Sequence, residues 1–392
     1  MRDVMILSAV RTPIGRFMGG LAPVSAPRLG SVAIAAALRR AGVAPDRVDE
    51  VYMGTILAAG LGQAPARQAA LYAGLPNTVP ATTLNKMCGS GLKAAMLGAQ
   101  AVIAGDADVI VAGGMENMSA SPYLLDRARA GYRLGHGSLV DSMIKDGLWD
   151  VYNDMHMGSC CELLVREHRI SREEQDAFAR RSYTRALAAI ESGHFRREVV
   201  PVNVGGDRGA PQMVVEDEEP RRFDPAKLAT LRPVFEDGGT VTVANASSIS
   251  DGAAAVVLAA GDVAARIGAR HLARIVGQAV SATAPEWFTI APAAAITRLL
   301  DKVGWTRDSV DLYEINEAYA AVVIAVARQL GLNMDRVNVH GGAVALGHPL
   351  GASGARILTT LLYAMEERDA RRGIAAVCLG GGEAVSLAVE RM

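Results

Sequence analysis

Residues 37–51 read ALRRAGVAPDRVDEV, and residues 299–313 read LLDKVGWTRDSVDLY. At a constant offset of 262, Gly42 matches Gly304, Asp46 matches Asp308, Val48 matches Val310 and Asp49 matches Asp311. Residues 89–114 then run through a Gly-Ser-Gly helix start, an Ala-rich helix, an apolar strand and a double glycine, an order echoed by 351–382. The same elements in the same order predict two similar α/β halves, related by a pseudo-twofold and sharing a site between them. The stretch 119–245, rich in Arg, Asp, Glu and Gly, has no counterpart and reads as an insertion in the first half.

Working outward, short apolar runs (4–7, 109–112, 254–259 and 375–379) alternate with Ala-rich stretches. Helices are predicted over 31–41, 90–104, 173–191, 293–303, 317–330 and 353–367. The alternation is that of an α/β fold. Strands that are continuously apolar fit a sheet covered by helices on both faces. With 392 residues the chain exceeds one ordinary core.

Half the residues are hydrophobic and 21% are charged, the profile of a soluble globular protein. A formal net charge of -1 supplies no long-range field for nucleic acid or an anionic membrane, and neither is expected as a partner. No apolar run attains the ~18 residues of a membrane span. The opening MRDVMILSAV is too short for a secretory h-region. Cys88, Cys160, Cys161 and Cys378 form no CxxC pair, and free thiols fit a reducing compartment, so a cytoplasmic location is expected. The seven histidines show no ligand spacing, so no metal is expected.

Four segments could carry chemistry. In NKMCGSGLKAAMLGAQ (85–100), Cys88 precedes Gly89-Ser90-Gly91 and a helix. The positive end of that helix is expected to lower the thiol pKa. In HGGAVALGHPLGASG (340–354), His348 sits in a glycine-dense loop and can exchange a proton near neutrality. In VCLGGGEA (377–384), Cys378 falls near the end of an apolar strand, where open sheets place ligand contacts. In EINEAYAA (314–321), Asn316 and Glu317 stand at the junction of a strand (310–315) and a helix. Each has a bland alternative when taken alone. Cys88 and Cys378 then read as buried structural cysteines, His348 as a loop histidine satisfied by backbone, and Asn316 as a helix N-cap. Placed in the repeat, all four converge at one edge of a paired core.

The segments NKMCGSGL, GGMENMS (113–119), NASSISDGAA (245–254), NEAYA (316–320), GGAVALGHPLGASG and CLGGG together resemble the signatures of the thiolase family, in its order and spacing. The resemblance covers about residues 4–390. It implies a five-layered αβαβα core of two similar halves. The N-terminal half would comprise 1–118 and 246–270, the inserted loop domain that binds coenzyme A (CoA) 119–245, and the C-terminal half 271–392. It also implies a homo-oligomer, dimer or tetramer.

By the same resemblance, Cys88 would be the nucleophile, activated by His348, and Cys378 the base that makes a carbanion from a second acetyl-CoA. One oxyanion hole would come from His348 and a water held by Asn316, the other from the backbone N–H groups of Cys88 and Gly380. Leu148, His156, Met157, Arg221, Phe235, Ser247 and Tyr319 would line a tunnel for acyl-CoA and CoA. No tightly bound cofactor is implied. The expected reaction is Claisen condensation of two acetyl-CoA to acetoacetyl-CoA and its reversal by thiolysis. The alternative is a broader-chain 3-ketoacyl-CoA thiolase of degradation. Tyr319, Trp287-Phe288-Thr289, Cys160-Cys161 and Ser250 depart from the residues usual in the family, and the first two bear on acyl length. A decarboxylating ketosynthase would lack Cys378, a Cys-His-Asn hydrolase would leave CLGGG without a role, and a non-catalytic lipid-binding descendant would be expected to lose one of the four residues.

Overall fold

A computed structural model describes residues 2–205 and 212–392. Its main elements are β1 (Val4–Arg11), α1 (Ala26–Ala41), β2 (Glu50–Gly54), α2 (Pro65–Tyr72), β3 (Ala81–Leu84), α3 (Ser90–Ala104), β4 (Val109–Asn117), α4 (Met157–Glu167) and α5 (Arg172–Glu191). There follow β5 (Ser250–Ala260), β6 (Ala273–Ala282), α6 (Ala291–Val303), β7 (Leu312–Ile315), α7 (Ala320–Leu330), α8 (Leu350–Glu367), β8 (Arg372–Leu379) and β9 (Glu383–Glu390).

The repeat read from the sequence has a physical counterpart at each matched residue. Gly42 and Gly304 end α1 and α6 in the left-handed conformation, at φ 65° and 67°. There the absence of a Cβ removes the steric penalty. Short 3₁₀ turns follow at Pro45–Arg47 and Arg307–Ser309. Asp49 Oδ2 then accepts the N–H groups of Asp108 and Val109 at 2.7 and 2.8 Å. Asp311 Oδ2 accepts those of Arg371 and Arg372, both at 2.8 Å. Each aspartate thus starts the parallel pairing of its strand, β2 with β4 and β7 with β8.

The strands run in the order β7-β8-β9-β6-β1-β5-β4-β2-β3, with Gly15–Arg16 pairing onto β5. The two half-sheets join through three antiparallel residue pairs between β1 and β6. Along β8, Ala375, Val377 and Leu379 join the cluster that holds α8, whereas Ile374 and Ala376 pack with α6 and α7. That alternation is the strand period of two. The layers are α1 with α2, the first half-sheet, α3 with α8, the second half-sheet, and α6 with α7. Between the half-chains, 119–249 supplies α4, α5 and three two-stranded ribbons, none joined to the central sheet among the described residues.

The middle layer is unusually tight. A Cβ on Gly354 would lie 2.4 Å from Leu92 N, and one on Gly91 would lie 2.8 Å from Ala355 N. Backbone therefore meets backbone where α3 crosses α8. Gly354→Ala is expected to destabilise by about 1–3 kcal/mol, the usual cost of overpacking a tight core. Urea unfolding measures this, and an unchanged midpoint would show that the helices can part freely.

Three expectations need correction. Residues 87–104 are long and apolar enough to pass for a membrane span, yet α3 lies in this central layer. Helix α1 starts at Ala26, earlier than expected, because Pro27 preorganises its first turn. Helix α7 starts only at Ala320, with Tyr319 extended at its N-cap, so Asn316 and Glu317 precede the helix and Asn316 does not cap it.

Candidate active site

Cys88 sits on a clamped turn before α3. Met87 adopts a left-handed φ of 47°, unfavourable for a side chain bearing a Cβ. Asn85 Oδ1 accepts the Met87 N–H at 2.9 Å. Ser90 Oγ accepts from Lys86 N at 2.8 Å and donates to the Met87 carbonyl at 2.6 Å. The strain is held by these bonds, and the Cys88 side chain faces a cavity.

Burial pushes the Cys88 thiol up to about 11. The N–H groups of Gly380 and of Cys88 itself pull it down, and the nearby Glu116 raises it further. This corrects the expectation of a lowered pKa: burial outweighs the helix end, and the resting sulfur carries its proton. Alkylation by neutral iodoacetamide, which needs the thiolate, is therefore expected to rise about tenfold per pH unit from 7 to 9. A plateau reached near pH 7 would contradict this.

Cys378, at the end of β8, is fully buried. Its thiol is raised by burial and by the neighbouring Cys88 sulfur. The Gly89 backbone beside Cys88 also abuts Leu379, since a Cβ on Gly89 would lie 2.5 Å from Leu379 Cδ2. The two sulfurs thus come from opposite halves to one place. Cys160 and Cys161 pack into the same cluster as Cys378, with Met157, Phe288 and Tyr319.

His348 follows the short helix Ala343–Leu346, and its N–H is shared by Ser248 O and Ser250 Oγ at 3.1 and 3.2 Å. Ser353 Oγ lies 2.5 Å from His348 Nδ1 and donates its own hydrogen to Pro349 O at 2.9 Å. A hydroxyl has one hydrogen to give, so it must accept from Nδ1–H. Nε2 is left with its lone pair, 3.4 Å from Asn316 Nδ2. Burial, helped by Arg356, pushes the imidazole down to about 3, so it is neutral at working pH. Asn316 Oδ1 is buried without a hydrogen-bond partner among the described residues.

A cavity of about 460 Å³ opens onto Cys88 and His348, lined also by Leu148, His156, Met157, Phe235, Ser247 and Tyr319. The His156 and Phe235 rings stack at 4.8 Å, and Phe235 meets Tyr319 edge-on at 6.1 Å. Cys378 and Asn316 are buried and not part of this lining, and Gly380 lines a separate cavity with Asn85 and Met87. Arg221 is placed elsewhere: it is exposed, does not line the cavity, and binds Glu216 through Nε and, at 3.0 Å, through a terminal nitrogen. Its fork is taken up by a nearby surface carboxylate.

Several residues escaped the sequence reading. Ser353 sets the imidazole tautomer. Glu116 accepts Thr55 Oγ and the N–H groups of Ile56, Leu57 and Gly351 at 2.9–3.1 Å, tying the cavity wall to the start of α8. Arg16 and Phe17 stand at the mouth. Glu116 lies within the quoted GGMENMS, but its partners are distant in sequence. Among the described residues no group of three His, Cys, Asp or Glu side chains is arranged to hold a metal ion. The site offers two thiols, one neutral imidazole and backbone donors, a set suited to acyl transfer through a cysteine.

The family model described as thiolase, N-terminal domain matches residues 4–262, and that described as thiolase, C-terminal domain matches 269–391. The chain belongs to the thiolase family. This thiolase is 55% identical to acetyl-CoA acetyltransferase 2 of Arabidopsis thaliana, over 99% of this chain and 97% of that protein. It is 53% identical to an acetyl-CoA acetyltransferase of Pseudomonas aeruginosa, over the whole of both. The crystal structure of the Bacillus anthracis acetyl-CoA acetyltransferase resembles it with a TM-score of 0.98 at 43% identity, covering 100% of this chain and 99% of that one. A thiolase from Ascaris suum, solved in complex with CoA, resembles it with a TM-score of 0.95 at 42% identity, covering 100% of both.

Proposed function

We propose that this thiolase is an acetyl-CoA C-acetyltransferase, joining two acetyl-CoA into acetoacetyl-CoA and free CoA and running the reverse thiolysis. The observation that carries the reading is the convergence of a second thiol, Cys378, on Cys88 and the neutral His348. A hydrolase or a decarboxylating enzyme has no use for that second sulfur.

In the first half-reaction Cys88 Sγ attacks the thioester carbonyl while His348 Nε2 takes the thiol proton. The C–S bond to CoA breaks, and the departing thiolate takes the proton of Cys378. In the second, the Cys378 thiolate removes a proton from the methyl carbon of another acetyl-CoA. That carbon attacks the acetyl-Cys88 carbonyl, and the expelled Cys88 thiolate recovers its proton from His348. Every group returns to its starting state. Negative charge on the two thioester oxygens would be met by the Cys88 and Gly380 N–H groups, and by protonated His348 with a water on Asn316, an arrangement that does most where water is excluded.

The acetyl preference is supported by the names of the relatives and by the bulk of Met157, Phe288 and Tyr319 around the inner cavity. Thiolysis rates across 3-oxoacyl-CoA lengths test it. Acetoacetyl-CoA should be favoured over an eight- or ten-carbon substrate by about tenfold or more, since a methylene that does not fit costs that much. A preference for the longer chains would refute it.

The reading also carries CoA thioesters as the only cosubstrates with no tightly bound cofactor, a cytoplasmic site of action, and 119–245 as a separate CoA-holding domain. We further propose a homodimer or homotetramer. Two features support assembly: among the described residues β3 has no outer neighbour in the sheet, and the ribbon of Tyr123–Leu125 with Leu139–Asp141 carries exposed Leu139 and leads through a fully exposed Leu134.

A further inference from the structure

We propose that Arg16 is the residue that meets the phosphates of CoA at the cavity mouth. The inference rests on the CoA-dependent reading above.

Among the described residues Arg16 is the one lysine or arginine lining the cavity that opens onto Cys88 and His348. It stands with the exposed Phe17 and Val243 at the outer end, while the buried His348 and Tyr319 form the inner end. Among the described residues Arg16 hydrogen-bonds only through its backbone, donating to Glu218 Oε2 at 2.8 Å and pairing with Ser250 on β5. Glu218 also accepts Gly20 N at 3.0 Å. Glu219, which lines the same cavity, lies 3.8 Å from Arg222 and also feels the charge of Arg16. Among the described residues no side-chain hydrogen bond holds the Arg16 guanidinium, so its backbone is fixed and its donors are unspent.

That backbone is also in register with the catalytic base. Ser250, opposite Arg16 in the pairing, is the residue whose Oγ accepts the His348 N–H. A substrate gripped by Arg16 at one end is thus referred to the same strand that holds the imidazole at the other. CoA carries a diphosphate and a further phosphate at the end of a long neutral arm, and a planar fork of N–H donors matches a phosphate better than a single ammonium does. Among the described residues the cavity walls hold no other lysine or arginine to offer it.

The test compares two substrate pairs that share acyl group and arm: acetoacetyl-CoA with CoA, and acetoacetyl-pantetheine with pantetheine, which lacks the phosphates. Arg16→Gln is expected to raise KM for the CoA pair about 10–100-fold, the scale of a lost charge-assisted hydrogen bond, and to leave the pantetheine pair as in wild type. Arg16→Lys should fall between. Equal losses on both pairs would mark Arg16 as merely structural. No loss on either would equally overturn the proposal. Calorimetric titration with CoA and with pantetheine repeats the comparison without turnover. A wild-type protein that binds CoA but thiolyses no 3-oxoacyl thioester would sink the enzymatic reading and leave the Arg16 assignment to be decided by those titrations.

Discussion

Cys88→Ala is expected to lower kcat for acetoacetyl-CoA thiolysis on the order of 10⁶-fold, the loss that follows removal of a covalent nucleophile acting with its base. The change deletes one sulfur from a turn whose geometry is set by Asn85 and Ser90, so the cavity should persist. CoA affinity should therefore be nearly unchanged while the chemical step disappears. Incubation with acetyl-CoA followed by mass spectrometry should find no covalent acetyl group. Acetyl retained by the variant on Cys378, or on any other side chain, would show that the nucleophile had been misassigned.

The second large effect divides the reaction. With Cys378→Ala, Cys88 and His348 keep their geometry, so the acetyl-enzyme should still form, more slowly for want of the proton that Cys378 gives the departing CoA. Condensation needs a base at the methyl carbon and should fall about 10²–10⁴-fold, the range that general acid–base groups supply. Acetylated protein should then accumulate with acetyl-CoA and little acetoacetyl-CoA appear. Normal condensation by this variant would leave the second thiol without a purpose.

How far the sequence carries can be followed residue by residue. The matched Gly42 and Gly304 and the matched Asp49 and Asp311 were legible because each acts locally, ending a helix or starting a strand a few positions away. Cys88, His348 and Cys378 were legible as a set because the duplication aligned their segments. The tautomer lock was not, although Ser353 is only five residues from His348, because it depends on which way one hydroxyl hydrogen points. Glu116 was missed because its partners are far apart in sequence. The pairing of Arg221 with Glu216 is not legible in EEPRRF, because Glu216 lies outside that stretch and folds back on it. The thiol pKa was misjudged because a helix end is visible in sequence and the depth of burial is not.

The bare crossing of α3 and α8 has a mechanical consequence. No layer of side chains separates the halves there, so nothing can compress or swivel to absorb a tilt of one against the other. A methyl inserted at residue 354 should open the gap between the reacting carbons as directly as it strains the crossing. Carbon–carbon bond formation tolerates about 1 Å of such misplacement only at a cost near 10²-fold. Catalytic output should consequently respond to that methyl more steeply than unfolding does, making residue 354, next to the Ser353 that holds His348, a sensitive gauge of how rigidly the two lobes are registered.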